Sequence, residues 1–202
     1  TVYRDDIRET WSASGYARGF GPNYTYVTVG SVRIDRRNYN GQTTDQIEAV
    51  RACACGPLSS EEEFPQESWR RWTHNIYDQW GRLQASRVYY KIPESGEGEE
   101  GVNYNQTRYA YDALGRQNKM VSPGGPIPRT VFDSQNRAIQ QWVGTDDTGA
   151  TDDDPSGGGA TGNNMVEVSS KEFDEGVGGG DGNLTSETRY VGPANSSSSS
   201  SG

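Results

Sequence analysis

The stretch YAYDALGR, residues 109–116, decides how the chain is read. Tyr109 and Tyr111 stand two apart, so they share one face of a strand. Asp112 follows, then two indifferent residues, then Gly115 and Arg116. An Asp at the first position of a four-residue turn bonds its own backbone two residues on. A Gly at the fourth position accepts a positive φ. The run therefore predicts a type I turn with a glycine bulge joining two antiparallel strands.

The unit recurs. IYDQWGR (76–82) repeats it through Tyr77, Asp78, Gly81 and Arg82. VFDSQNR (131–137) repeats it through Phe132, Asp133, Asn136 and Arg137, Asn being the next most tolerant residue at positive φ. A degraded copy, EFDEGVGGGDGNLT (172–185), begins its turn at Phe173 and Asp174. NYNGQT (38–43) reads as another worn copy, with Asn40 as the turn residue. The turn acids at 78, 112, 133 and 174 lie 34, 21 and 41 residues apart. A basic period near 21 with loop insertions accounts for all three spacings. Such a period means stacked hairpins, since a lone hairpin has too little core to stand by itself. The fold expected is all-β, made of repeated antiparallel hairpins with long Gly- and Asp-rich loops. Asp and Arg in every unit would be redundant as catalytic groups, so their roles are read as structural.

Composition agrees. The chain has 202 residues, 26 of them Gly, with 12 Tyr and 5 Trp. Leu, Ile, Val and Phe supply only about one residue in seven, so an aromatic core has to do the work of an aliphatic one. A net charge of −9 argues against nucleic acid or an anionic membrane as partner. No apolar run approaches a membrane span, and no basic-then-apolar leader is visible. The chain starts at Thr1, which suggests a piece of a longer protein.

Three segments are expected. Residues 1–69 form a β-rich region with a possible degenerate repeat. Within it, 23–35 reads as a strand pair or one bent strand, broken at Gly30, and 43–52 as one short helical turn through Ile47 and Val50. Residues 70–192 carry the hairpin repeats, and 193–202 is a disordered Ser-rich tail. The acidic inserts 58–68, 93–103 and 145–164 read as solvated loops. The aspartates of 145–164 do not follow the alternating pattern of a calcium loop, so no metal or other cofactor is expected. A bridge between Cys53 and Cys55 closes a very small, strained ring, so both read as ordinary thiols, with redox behaviour or pairing to a partner as alternatives. His74 has no nucleophile context in the sequence, so no enzyme is expected. Trp69, Trp72, Trp80 and Trp142 are candidates for stacking on sugar rings.

The repeated Tyr-x-Tyr-Asp-x-x-Gly-Arg resembles the YD repeat of the Rhs family. IYDQWGRL (76–83) matches most closely, while Gln117 after Gly-Arg and Asn136 in the Gly position depart from the pattern. The resemblance covers about 70–190. It implies hairpins winding into a spiral sheet that forms the wall of a hollow shell, as in Rhs proteins and related toxin complexes, or an adhesive shell, as in teneurins. It further implies a secreted or cell-surface location and a non-catalytic segment that encloses or displays another domain. The alternative is an adhesin module binding a carbohydrate or protein. The partners implied are neighbouring repeats of the same polypeptide, with a glycan or surface protein as further candidates.

Overall fold

The computed structural model describes residues 1–53, 56–174 and 182–190. The chain divides into two compact units, 1–108 and 109–202. The described residues are almost wholly strand and turn, and every named strand pairing is antiparallel. In the first unit lie β1 (Val2–Arg4), β2 (Glu9–Arg18), β3 (Thr25–Arg37), β4 (Thr43–Ala49), β5 (Trp69–Tyr77), β6 (Leu83–Tyr89) and the start of β7 (Tyr104–Tyr111). The second holds the end of β7, β8 (Gln117–Val121), β9 (Ile127–Phe132), β10 (Ala138–Gly144), β11 (Val166–Phe173) and β12 (Leu184–Arg189). Within each unit, strand order is chain order.

Two expectations in the first region are corrected or resolved. Residues 43–49 form strand β4 and not a helical turn. Asp45, Ile47 and Ala49 alternate inward and are buried. Residues 25–37 form one bent strand, with Gly30 at φ 81° marking the bend.

The core of the first unit lies on one face of its sheet. Trp11, Ile34, Ile47 and Trp72 form a cross-strand row, with Val32, Ala49 and Trp69 beside it. Trp72 stacks on Tyr89 at 3.9 Å between ring centroids, and Tyr89 packs on Tyr104 at 5.1 Å. Phe64, from the 50–68 insert, closes edge-on against Trp11, while Leu58 and Ile92 cover the same cluster. Burying rings of this size supplies the apolar area that the scarce aliphatic residues cannot.

The acidic inserts are not simply solvated. Glu62 accepts two hydrogen bonds from Arg51, at 2.5 and 2.6 Å, and pins the first insert. Glu97 pairs with Arg87 of β6 in the second. In the second unit, Asp147 receives Lys119 of β8 and Arg129 of β9, each at 2.6 Å. Lys119 and Arg129 face each other across the ladder, a like-charge pair that costs stability unless an anion sits between them. Asp152 takes the amide of buried Asn118, and Asp146 and Asp154 cap local turns. Cys53 is disulfide-bonded, which corrects the thiol expected there, and Cys55 lies outside the described residues.

Candidate functional site: the turn rows

The repeated unit is the most regular feature of the structure, and its geometry follows from its sequence. Asp78 N–H donates to the Arg82 carbonyl at 2.9 Å, and Gly81 N–H donates to the Asp78 carbonyl at 3.0 Å. Asp112 with Arg116 and Gly115, and Asp133 with Arg137 and Asn136, repeat both bonds. The fourth residue is left-handed each time: Gly81 at φ 78°, Gly115 at 81°, Asn136 at 64°. At Tyr77 and at Ala138 the ladder slips by one residue, as a bulge requires.

Each Asp side chain completes its own turn. Asp78 Oδ1 accepts from the Trp80 and Arg82 amides at 2.9 and 2.8 Å, and Oδ2 accepts from Arg82 Nε at 2.7 Å. Asp112 does the same with Leu114 and Arg116, and Asp133 with Gln135 and Arg137. Burial works against the charge of these carboxyls. Hydrogen bonds from the backbone and guanidinium of the following Arg outweigh it and hold all three below the ordinary Asp range.

The worn copy at 38–43 has the same architecture, two residues out of the expected frame. Asn38, not Asn40, takes the Asp position, and its Oδ1 accepts from the Asn40 and Gln42 amides, both at 3.0 Å. Its amide donates to Gln42 Oε1 at 2.9 Å, so an Asn–Gln pair replaces the Asp–Arg ion pair. At Asp174 the turn is entered in the same way. Asp174 N–H donates to the Asn183 carbonyl, and its side chain accepts from Asn183 N–H at 2.6 Å. The intervening residues 175–181 lie outside the described set.

The residue after the Gly position binds neighbouring turns together, a role the repeat pattern alone did not disclose. In the first unit, Gln42 donates to the Gly81 carbonyl at 2.5 Å. In the second, Arg116 Nη1 donates to the Asp133 carbonyl at 2.7 Å and packs over the Phe132 ring at 4.8 Å. Arg137 stacks over Phe173 at 4.2 Å and reaches the Gly182 carbonyl at 3.4 Å. Phe132 and Phe173, the aromatics before Asp133 and Asp174, thus receive the Arg of the preceding turn. Tyr77, Tyr109, Tyr111, Phe132 and Phe173 are half-buried.

The four tryptophans separate. Trp69 and Trp72 are buried in the first unit's core, so neither can stack on an external sugar. Trp80 is 70% exposed at a turn tip with Arg82 over its ring, and Trp142 is half-buried, its Nε1 donating to Gln140.

A polar row crosses the first unit beside the apolar one: Glu9, Arg36, Asp45, His74, Arg87 and Gln106, each paired in register with the next. Asp45 Oδ1 meets His74 Nδ1 and Trp72 Nε1, each at 2.8 Å. Burial opposes the Asp45 charge, but bonds from His74, Trp72 and Thr44 hold its carboxyl below the usual range. Sequence reading missed this row because its members are far apart in the chain. Among the described residues no group of three or more His, Cys, Asp or Glu is placed to hold a metal ion. No helix there is long and apolar enough to cross a membrane, which leaves strands untested.

No family model matches the chain, and no curated protein does. Among solved structures, a chain of the TcdB2-TccC3 crystal structure aligns with a TM-score of 0.39 and 11% identity. The alignment covers 82% of this chain and 8% of that one, so the chain spans a small fraction of the length of the protein it resembles.

Proposed function

We propose that the chain is a non-catalytic wall segment of a larger secreted or surface protein, whose repeated hairpins help to enclose or display another domain. The observation carrying this reading is turn-to-turn bonding. Gln42, Arg116 and Arg137 each leave their own hairpin to satisfy a carbonyl of the next. Such a device serves lateral continuity, which a wall needs and a reaction centre does not. Limited proteolysis of the intact parent polypeptide tests it. The expected result is that this segment and its companion domain resist cleavage together, until denaturant opens both. A companion domain cut freely while this segment stays whole would reject the wall. Hydrolase activity abolished by His74→Ala would overturn the non-catalytic reading.

An adhesin remains the second reading, and it now rests on Trp80 and Trp142 as the tryptophans near solvent. Glycan-array binding lost in Trp80→Ala or Trp142→Ala would favour it over the wall.

A further inference from the structure

The first unit contains a ribbon with no strand paired to either edge. Strand β1 pairs with β2 only as far as Trp11, and β4 pairs with β3 only from Val32 onward. Between these limits β2 and β3 pair as strands only with each other, through five pairs from Ser14 opposite Val29 to Arg18 opposite Thr25. One side-chain bond reaches the stretch, from Arg51 Nη1 to Thr28 Oγ1 at 2.7 Å, and Gly56, Pro57 and Leu58 line a cavity beside it. No backbone hydrogen bond reaches the outer edge of β3 over residues 25–31 from any described residue. A two-stranded ribbon alone in water is marginal at best.

The side chains deepen the problem. Phe20 at the tip is 98% exposed, and Tyr16, Tyr24, Tyr26 and Val29 are each more than half exposed. Natural edges are blunted by charge, by a bulge or by shortness. The other open edges follow that rule. Strand β1 has three residues and ends in Arg4. The free part of β2 carries Arg18, and the extra residues of the β2–β3 register shift lie on β3 at 30–32, just past the stretch 25–29. Strand β12 carries Glu187 and Arg189. The stretch Thr25-Tyr26-Val27-Thr28-Val29 has no charge and no Pro, and consists of β-branched and aromatic residues.

We propose that this edge of β3 is a strand-pairing site and that its occupant is a second copy of the same chain. The segment is its own complement. Antiparallel pairing about Val27 sets Val27 against Val27, Tyr26 against Thr28 and Thr25 against Val29. No charge is apposed, and β-branched or aromatic residues meet at every position. The chain carries −9 overall, which opposes association, yet residues 14–30 contain no acid and a single base, Arg18. The repulsion is thus least where contact is proposed. Joining two ribbons gives a four-stranded sheet, β2–β3–β3–β2, and satisfies the open backbone groups of both copies. The site lies apart from the turn rows and adds an association surface to the wall role.

Sedimentation of the full chain over a range of concentrations tests this. Wild type should show a reversible monomer–dimer equilibrium. Val27→Lys sets two ammonium groups against each other on the two-fold axis and should weaken dimerisation by about tenfold or more. Val27→Glu should do the same. An equimolar mixture of the two variants should recover the dimer, which misfolding of either could not produce. Circular dichroism of both variants should match wild type and each should melt cooperatively, since Val27 is only half-buried. A wild type that stays monomeric would overturn the proposal. So would a dimer indifferent to both variants, or a mixture that does not recover.

Discussion

At the scale of single residues, the turn is decided by two requirements that one short motif meets. The carboxylate of Asp112 is consumed by two amides and a guanidinium of its own loop, and Gly115 carries the left-handed backbone. Gly115→Val forces a β-branched side chain to φ 81° and should cost about 1–2 kcal/mol or more. A melting temperature lowered by several degrees is the expected reading, and an unchanged one would contradict the turn assignment. Asp112→Asn keeps an acceptor for the two amides but loses the ion pair, so it should destabilise less than Asp112→Ala. Parallel urea titrations of the two variants check that order. This part of the structure was legible from sequence, because turn chemistry is local and needs only neighbours up to four residues apart. The frame of the 38–43 copy was not. Two asparagines compete there for the Asp position, and only the amide acceptances of Asn38 decide between them.

At the scale of elements, long-range pairing decides outcomes that local patterns leave open. Strand β4 was hidden because Asp45 points inward, breaking the apolar alternation that marks a strand, while Ile47 and Val50 mimic helical spacing. Asp45 is tolerated inside because His74 and Trp72 meet it from the adjoining strand, 29 and 27 residues away. The tryptophans were ambiguous for a related reason. An aromatic ring reads alike in a core and on a binding face until its neighbours are known. The acids of the inserts looked solvated because their cationic partners lie 10 to 28 residues off, on or just past the strands. Asp147 is the sharpest case. Asp147→Ala leaves Lys119 and Arg129 facing each other with Arg129 buried, and should destabilise the second unit by about 2–4 kcal/mol. Hydrogen exchange should show amides of the 145–164 insert losing protection first. Uniform loss across the chain would mean that the insert is not held by this contact.

At the scale of the whole molecule, the depressed carboxyls set the response to acid. Asp45, Asp78, Asp112, Asp133 and Asp147 all titrate below their ordinary value in the folded chain. Protonation therefore favours the unfolded state. Their contribution is fully present above the unfolded carboxylate pKa of about 4 and is lost as pH falls through and below it. Urea midpoints should be flat from neutrality down to about pH 5 and then fall steadily. A midpoint that rises on acidification below that range would reject the assigned ion pairs.

One feature of the topology reaches beyond stability. Strand order repeats chain order within each unit, so every hairpin leans on the one made just before it. A polypeptide threaded end-first from a ribosome or through a narrow export pore never has to wait for a distant partner. Each hairpin finds its docking surface already built, and closing it takes a short loop search, not a long one. Assembly is then vectorial: each unit's sheet lengthens like knitting, one row upon the last, at the pace of delivery.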